Sequence, residues 1–242
     1  MTLTSATSEI AHTRIPLVLL PGLLCDDRLW RDQAHDLADI AEPWIADLTQ
    51  DDSIAAMARR VLASAPPRFA LAALSMGGYV AFEILRQAPG RVARLALVDT
   101  TASPDSPERR AQRQAGIDSI RQGRFAGVTD RLLPQLVHAS HVGGPVGDEV
   151  KAMALRVGSD AYLRQQQAIL DRPDSRPLLP AIAVPTLVCV GDSDVLTPPA
   201  EAQAMQQKIP GARLHRFAAC GHLPPMEQPR ETSAALRRWL GR

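Results

Sequence analysis

The sequence predicts an α/β protein: a mostly parallel central sheet with helices on both faces and an inserted all-helical cap. Two observations predict it. Short apolar runs alternate with amphipathic stretches along most of the 242 residues, and from Thr101 to about Pro180 that alternation stops and only helical periodicities remain. Strands separated by helices require crossover connections, which make the strands parallel and place helices on both faces. Residues 15–100 and 181–242 are therefore expected to form one core, 101–180 a cap inserted into it, and 1–14 a flexible, polar N-terminus.

Ile15 to Leu20 is a continuous apolar run and reads as a buried strand. Asp26 to Asp39 has helical spacing, and Pro43 to Asp47 is a weaker strand. From Ser53 to Ala65 the residues Ile54, Met57, Val61 and Leu62 fall on one face of a helix. Arg68 to Leu74 is a strand running directly into Ser75, and Met76 to Gln87 continues as a helix that stops at Pro89-Gly90. Val92 to Val98 is the next strand. Beyond the insertion come a strand from Val184 to Val190, a helix from Pro199 to Lys208, a short strand from Ala212 to Phe217 and a closing helix from Arg230 to Leu240. Within the insertion, Ser106–Gln122, Phe125–Val137, Pro145–Val157 and Ala161–Leu170 each read as a helix.

Composition narrows the function classes. The formal net charge is +1, so no global field favours nucleic acid or an anionic membrane. No apolar run is long enough to span a bilayer, and the first residues lack the basic start and apolar stretch of a signal peptide. Cys25, Cys189 and Cys220 are widely spaced and odd in number, which fits neither a disulfide framework nor a metal knuckle and suits a reducing cytoplasm. Unpaired cysteines of this kind pack as small hydrophobes, although Cys25 and Cys220 flank the motifs described next.

Ala73-Leu-Ser75-Met-Gly77 sits at a strand-to-helix junction. A serine at the tip of such a tight turn is projected clear of the sheet. Small neighbours let strand and helix approach, and the helix N-terminus supplies free N–H groups. The alternative is that Ser75 merely caps the helix, for which serine is also favoured. Val190-Gly-Asp192-Ser-Asp194 follows a buried strand, on the edge of the sheet where ligand sites form. Asp194 is the expected acid. Asp192 suits a turn role, and Asp99, after the strand ending at Val98, is a third candidate. Cys220-Gly-His222 follows the last strand in a Gly/Pro-rich loop. The order Ser75, Asp194, His222 suits a hydroxyl nucleophile, an imidazole base and a carboxylate that orients it. Leu20-Pro-Gly22 follows the first strand, so the backbone N–H groups of Leu23 and Met76 are the expected oxyanion donors. Leu24, Cys25 and Met226 are expected to line the substrate pocket.

Taken together, these segments resemble the α/β-hydrolase-fold superfamily, in its small serine-esterase-like branch with a helical cap. The resemblance runs from about Ile15 nearly to the C-terminus. Pro21-Gly22 stands where that family often has His-Gly, and Ala46 to Ser53 is shorter than the family's glycine-containing segment. Serine rather than aspartate at position 75 disfavours the dehalogenase and epoxide-hydrolase branches. The resemblance implies hydrolysis of small or medium acyl esters or lactones through an acyl-enzyme, with no cofactor and no metal. The same triad also serves carbon–carbon bond hydrolysis, acyl transfer and perhydrolysis, and the fold can carry a non-catalytic small-ligand-binding protein.

Overall fold

The computed structural model describes residues 14–241. The expected flexible N-terminus therefore lies, apart from Arg14, outside the described residues. Six strands form one sheet: β1 (Ile15–Leu20), β2 (Ala41–Ile45), β3 (Phe69–Leu74), β4 (Val92–Val98), β5 (Thr186–Gly191) and β6 (Arg213–Phe217). They lie in the order β2-β1-β3-β4-β5-β6 and every neighbouring pair is parallel. β2 starts two residues earlier than its apolar pattern suggested. It is an edge strand, which is where a proline such as Pro43 can sit without breaking the ladder.

Because side chains alternate across a strand, the sheet feeds two separate cores. Val18, Leu20, Leu71, Ala73, Leu95 and Leu97 pack on one face under α2 (Ile54–Ser64), α3 (Met76–Gln87) and α7 (Pro199–Lys208). Leu17, Leu19, Ala72, Leu74, Ala96 and Val98 pack on the other, under α1 (Arg31–Asp36) and α9 (Pro229–Leu240). The central strand β3 is buried along its whole length. Such a strand reads as a continuous apolar run, as Phe69–Leu74 does.

Among the described residues no strand lies between β4 and β5. That span holds α4 (Pro107–Arg121), the single turn α5 (Leu133–Leu136) and α6 (Pro145–Leu170). The two helices expected from 145 to 170 are consecutive, and Gly158 with φ +80° marks the break between them. The helix expected over Phe125–Val137 is not formed beyond the turn α5. Gly127 adopts φ +59°, and Val128 and Val137 are buried from irregular chain on either side of that turn, which itself buries Leu133. Their apolar spacing reflects a loop packed on the body of the protein.

Asp105 ties this span together. Its side chain is 1% exposed and pairs with Arg113 of α4 at 2.6 Å and with Arg172, just beyond α6, at 2.8 Å. Burial alone would raise its pKa, but the two guanidinium groups outweigh burial and hold it down to about 2. Asp105→Asn is expected to lower unfolding stability by about 3 kcal/mol, because it leaves buried cations uncompensated; urea denaturation at neutral pH measures this. An unfolded aspartate titrates near ~3.9, above the folded value. The wild-type advantage should therefore be complete above that pH and drain away as pH falls towards about 2.

Candidate active site

The carboxyl ends of the strands deliver the chemistry-bearing residues to one edge. Gly22 follows β1, Ser75 follows β3, Asp99 follows β4, Asp194 follows β5 and His222 follows β6. In parallel sheets this edge is where binding crevices form, since the crossovers leave it open.

Ser75 sits between a buried strand and α3 with φ +53° and ψ −114°, a strained conformation for a residue with a Cβ. The reason is the close approach of α3 to β1. A Cβ on Gly77 would stand 2.5 Å from the Leu20 carbonyl oxygen and 2.7 Å from that of Pro21. The turn is held by Ser75 N donating to Val98 O at 3.0 Å and by Thr100 Oγ1 donating to Ser75 O at 2.8 Å. The Ser75 side chain makes no capping hydrogen bond to the helix. The helix-cap explanation for this serine is therefore set aside, and the hydroxyl faces a cavity.

His222 and Asp194 are both buried, and His222 Nδ1 lies 2.8 Å from Asp194 Oδ2. That contact requires a proton on Nδ1 or a charged ring; in the neutral ring it leaves Nε2 as the free acceptor. Asp194 also accepts from Leu196 N at 2.8 Å, Thr197 N at 3.2 Å and Thr197 Oγ1 at 2.6 Å. Burial pushes its pKa up, but the facing His222, then Thr197 and Asp99, prevail and hold it at about 2. Asp194 is thus an anion at neutral pH. Asp192 is exposed and makes no contact with the imidazole; it accepts from Ser193 Oγ, Ala219 N and Cys220 N, clasping the loops after β5 and β6 together. Ser75 and His222 line the same cavity. Among the described residues no hydrogen bond joins them, a looseness common before substrate binds.

The loop that carries His222 is fixed by a residue the sequence reading missed. Glu227 lies in the short helix α8 (Pro224–Glu227) and is buried. Its carboxylate accepts from the amides of Gly221 (3.0 Å), Leu223 (3.0 Å) and His138 (2.7 Å). The amide of His222 itself donates to Leu136 O at 3.0 Å. Gly221 must be glycine here, since a Cβ would meet the backbone of Val137 and His138 at 2.7 Å. An acid five residues beyond the histidine, in an otherwise apolar Pro-rich stretch, was the available signal.

The cavity measures about 280 Å³, at the small end for ligand pockets. Leu23, Leu24, Val128, Leu136, Met153 and Ile169 give it an apolar wall, and Arg109, Gln112 and Gln166 from α4 and α6 a polar strip. Of the residues expected in a pocket, Leu24 and Cys25 line this cavity. Met226 does not: the stretch expected to be loop coils into α8, and Met226 turns into the core with Leu236 and Trp239. The Cys25 thiol is pushed up to about 12, chiefly by burial, and burial also raises those of Cys189 and Cys220. None of the three is a thiolate at neutral pH. Leu24 adopts φ +57°, and its amide is engaged by Gln165 Oε1 at 3.0 Å. Among the described residues, the amides of Leu23 and Met76 donate to no protein acceptor.

Comparison with known proteins agrees with the fold. A family model described as alpha/beta hydrolase fold matches residues 20–229. The chain is 33% identical, over 74% of its length and 74% of the relative's, to a pimeloyl-[acyl-carrier protein] methyl ester esterase of Nitrosomonas europaea. A similarly named esterase of Neisseria meningitidis serogroup A is 29% identical over 86% of this chain and 67% of the relative. Among solved structures, a thermophilic esterase from Thermogutta terrifontis superposes with a TM-score of 0.85 at 32% identity, covering 95% of this chain and 90% of the other.

Glu227→Ala is expected to cost about 3 kcal/mol or more of unfolding stability, because it strands several buried N–H donors at once. Urea denaturation measures it, and a loss below about 1 kcal/mol would contradict the clasp described here.

Proposed function

The chain belongs to the alpha/beta hydrolase fold family and is an ester hydrolase, and from that premise we propose that it is a serine esterase in which Ser75, His222 and Asp194 form the catalytic triad. The observation that carries this is one cavity lined by both a strained serine at a strand-to-helix turn and a buried imidazole bonded to an ionised aspartate.

A serine hydroxyl is a weak nucleophile at neutral pH and needs a base within reach. Nε2 of His222 takes the Ser75 proton as the oxygen attacks the ester carbonyl, and Asp194 stabilises the imidazolium that forms. The amides of Leu23 and Met76 receive the negative charge that develops on the carbonyl oxygen. Pre-aimed donors of this kind require little rearrangement during reaction. Collapse of the tetrahedral species breaks the ester C–O bond, and the alcohol leaves with the proton from His222. Water, deprotonated by the same imidazole, then cleaves the acyl-enzyme.

The apolar wall supports small or medium aliphatic acyl groups, as esters or lactones, and residues 101–180 act as the cap that shapes the acyl pocket. The relatives' names support a methyl ester of such an acyl chain as the first substrate class to test. No helix among the described residues is long and apolar enough to cross a membrane, and three unpaired, buried thiols support a reducing compartment such as the cytoplasm.

A fluorophosphonate probe should label the wild-type protein at Ser75, and p-nitrophenyl esters graded by chain length, run beside lactones, should reveal a preferred acyl size. Ser75→Ala should lower kcat on the order of 10⁴-fold or more while leaving the unfolding transition in place; turnover close to wild type would remove Ser75 from its role. Asp194→Asn should cost about 10⁴-fold in kcat, far more than Asp192→Asn. The reverse ranking would transfer the acid's role to Asp192.

A further inference from the structure

Behind the proposed triad lies a second carboxyl group that the mechanism does not use. Asp99 follows β4 and is 1% exposed. Its Oδ1 accepts from Gly191 N at 2.9 Å, but its Oδ2 is buried with no donor to receive. Asp99, Asp194 and His222 each place a polar side-chain atom in one cluster whose members lie within 4.8 Å of one another. Asp99 also occupies φ +42°, which aspartate tolerates better than most residues. Asp99 N is anchored on Cys189 O at 3.0 Å.

Two carboxylates this close in a dry site do not both ionise. The donors decide which holds the proton. Asp194 accepts from two amides, a hydroxyl and an imidazole N–H, whereas Asp99 accepts from a single amide. The other groups facing Asp99 reinforce the choice: Glu227 adds repulsion, and Cys189 and Cys220 are neutral thiols. Among the described residues no lysine or arginine pairs with Asp99. We propose that Asp99 is held as a neutral carboxylic acid whose Oδ2–H donates towards Asp194, making it a positioning residue that holds the triad carboxylate against His222. The orphaned oxygen is then no longer an unsatisfied acceptor; it is a donor facing an anion. Burial, and after it the Asp194 charge, raise the Asp99 pKa well above the usual carboxylate range.

The inference rests on the triad reading for its catalytic consequence, but the protonation state can be read without it. An infrared difference spectrum between wild type and Asp99→Asn at neutral pH should show a carboxylic-acid C=O stretch that the variant lacks. Its absence would mean an ionised Asp99 and would overturn the proposal, whatever the probe does at Ser75. In turnover, Asp99→Asn keeps a donor at the same place and should retain most of the wild-type kcat. Asp99→Ala, with folding checked by circular dichroism, should lose about tenfold or more in kcat with KM little changed. Equal losses in the two variants, or none in Asp99→Ala, would overturn the positioning role. If wild type shows the infrared band but Ser75 takes no fluorophosphonate, the esterase mechanism fails while the neutral Asp99 stands.

Discussion

Helix α3 meets the end of β1 so closely that Gly77 could not carry even a methyl group without striking two carbonyl oxygens. Most of the site's geometry follows from that contact. With the helix pressed against the sheet, the chain has one residue in which to pass from strand to helix, and Ser75 takes the left-handed conformation that allows it. The hydroxyl is then aimed away from the helix it begins, and the Met76 amide has no acceptor of its own. The strain is carried by the surroundings: a strand buried along its length, the bond from Ser75 N to Val98 O, and the Thr100 hydroxyl against the serine carbonyl.

Four carboxyl groups crowd the loops after β4, β5 and β6, and each is accommodated by different physics. Asp192 lies at the surface, where water screens it. Asp194 is buried among donors and ionised. Glu227 is buried among main-chain amides and closes its own loop. Asp99 has the fewest donors and the least water. Burying a carboxylate is costly unless hydrogen bonds replace hydration, so the number of donors around each group sets what it can do.

The chain order of serine, aspartate and histidine, the parallel sheet and the helical character of 101–180 were legible because they rest on periodicity, turn chemistry and strand-end position. Asp194 could be preferred to Asp192 on the same footing, since an aspartate between glycine and serine is suited to turns, and Asp192 does clasp one. What escaped depended on contacts between distant segments. Glu227 and Thr197 act on backbone amides or on a neighbouring carboxylate; an acid in an apolar Pro-rich stretch marks Glu227 as unusual, but which groups it holds depends on contacts that no local pattern encodes. Met226 was expected in the pocket because the stretch around it is Gly/Pro-rich and loop-like, but proline also suits the first turn of a helix, and α8 turns Met226 into the core. Val128 and Val137 belong to a stretch with an amphipathic pattern, yet they are buried from irregular chain by packing that no local pattern encodes.

The bonds from His138 N to Glu227 and from His222 N to Leu136 O join the end of α5 and the residues just after it to the turn bearing the imidazole. Gln165 makes a comparable bond to the Leu24 amide from the far end of α6. Residues 101–180 are consequently not an interchangeable cassette. A graft from another protein would have to bring its own carbonyl for residue 222, its own N–H for residue 227 and its own amide for the Leu24 turn. Point changes along α4 and the first half of α6 reshape the cavity and leave all three attachments in place.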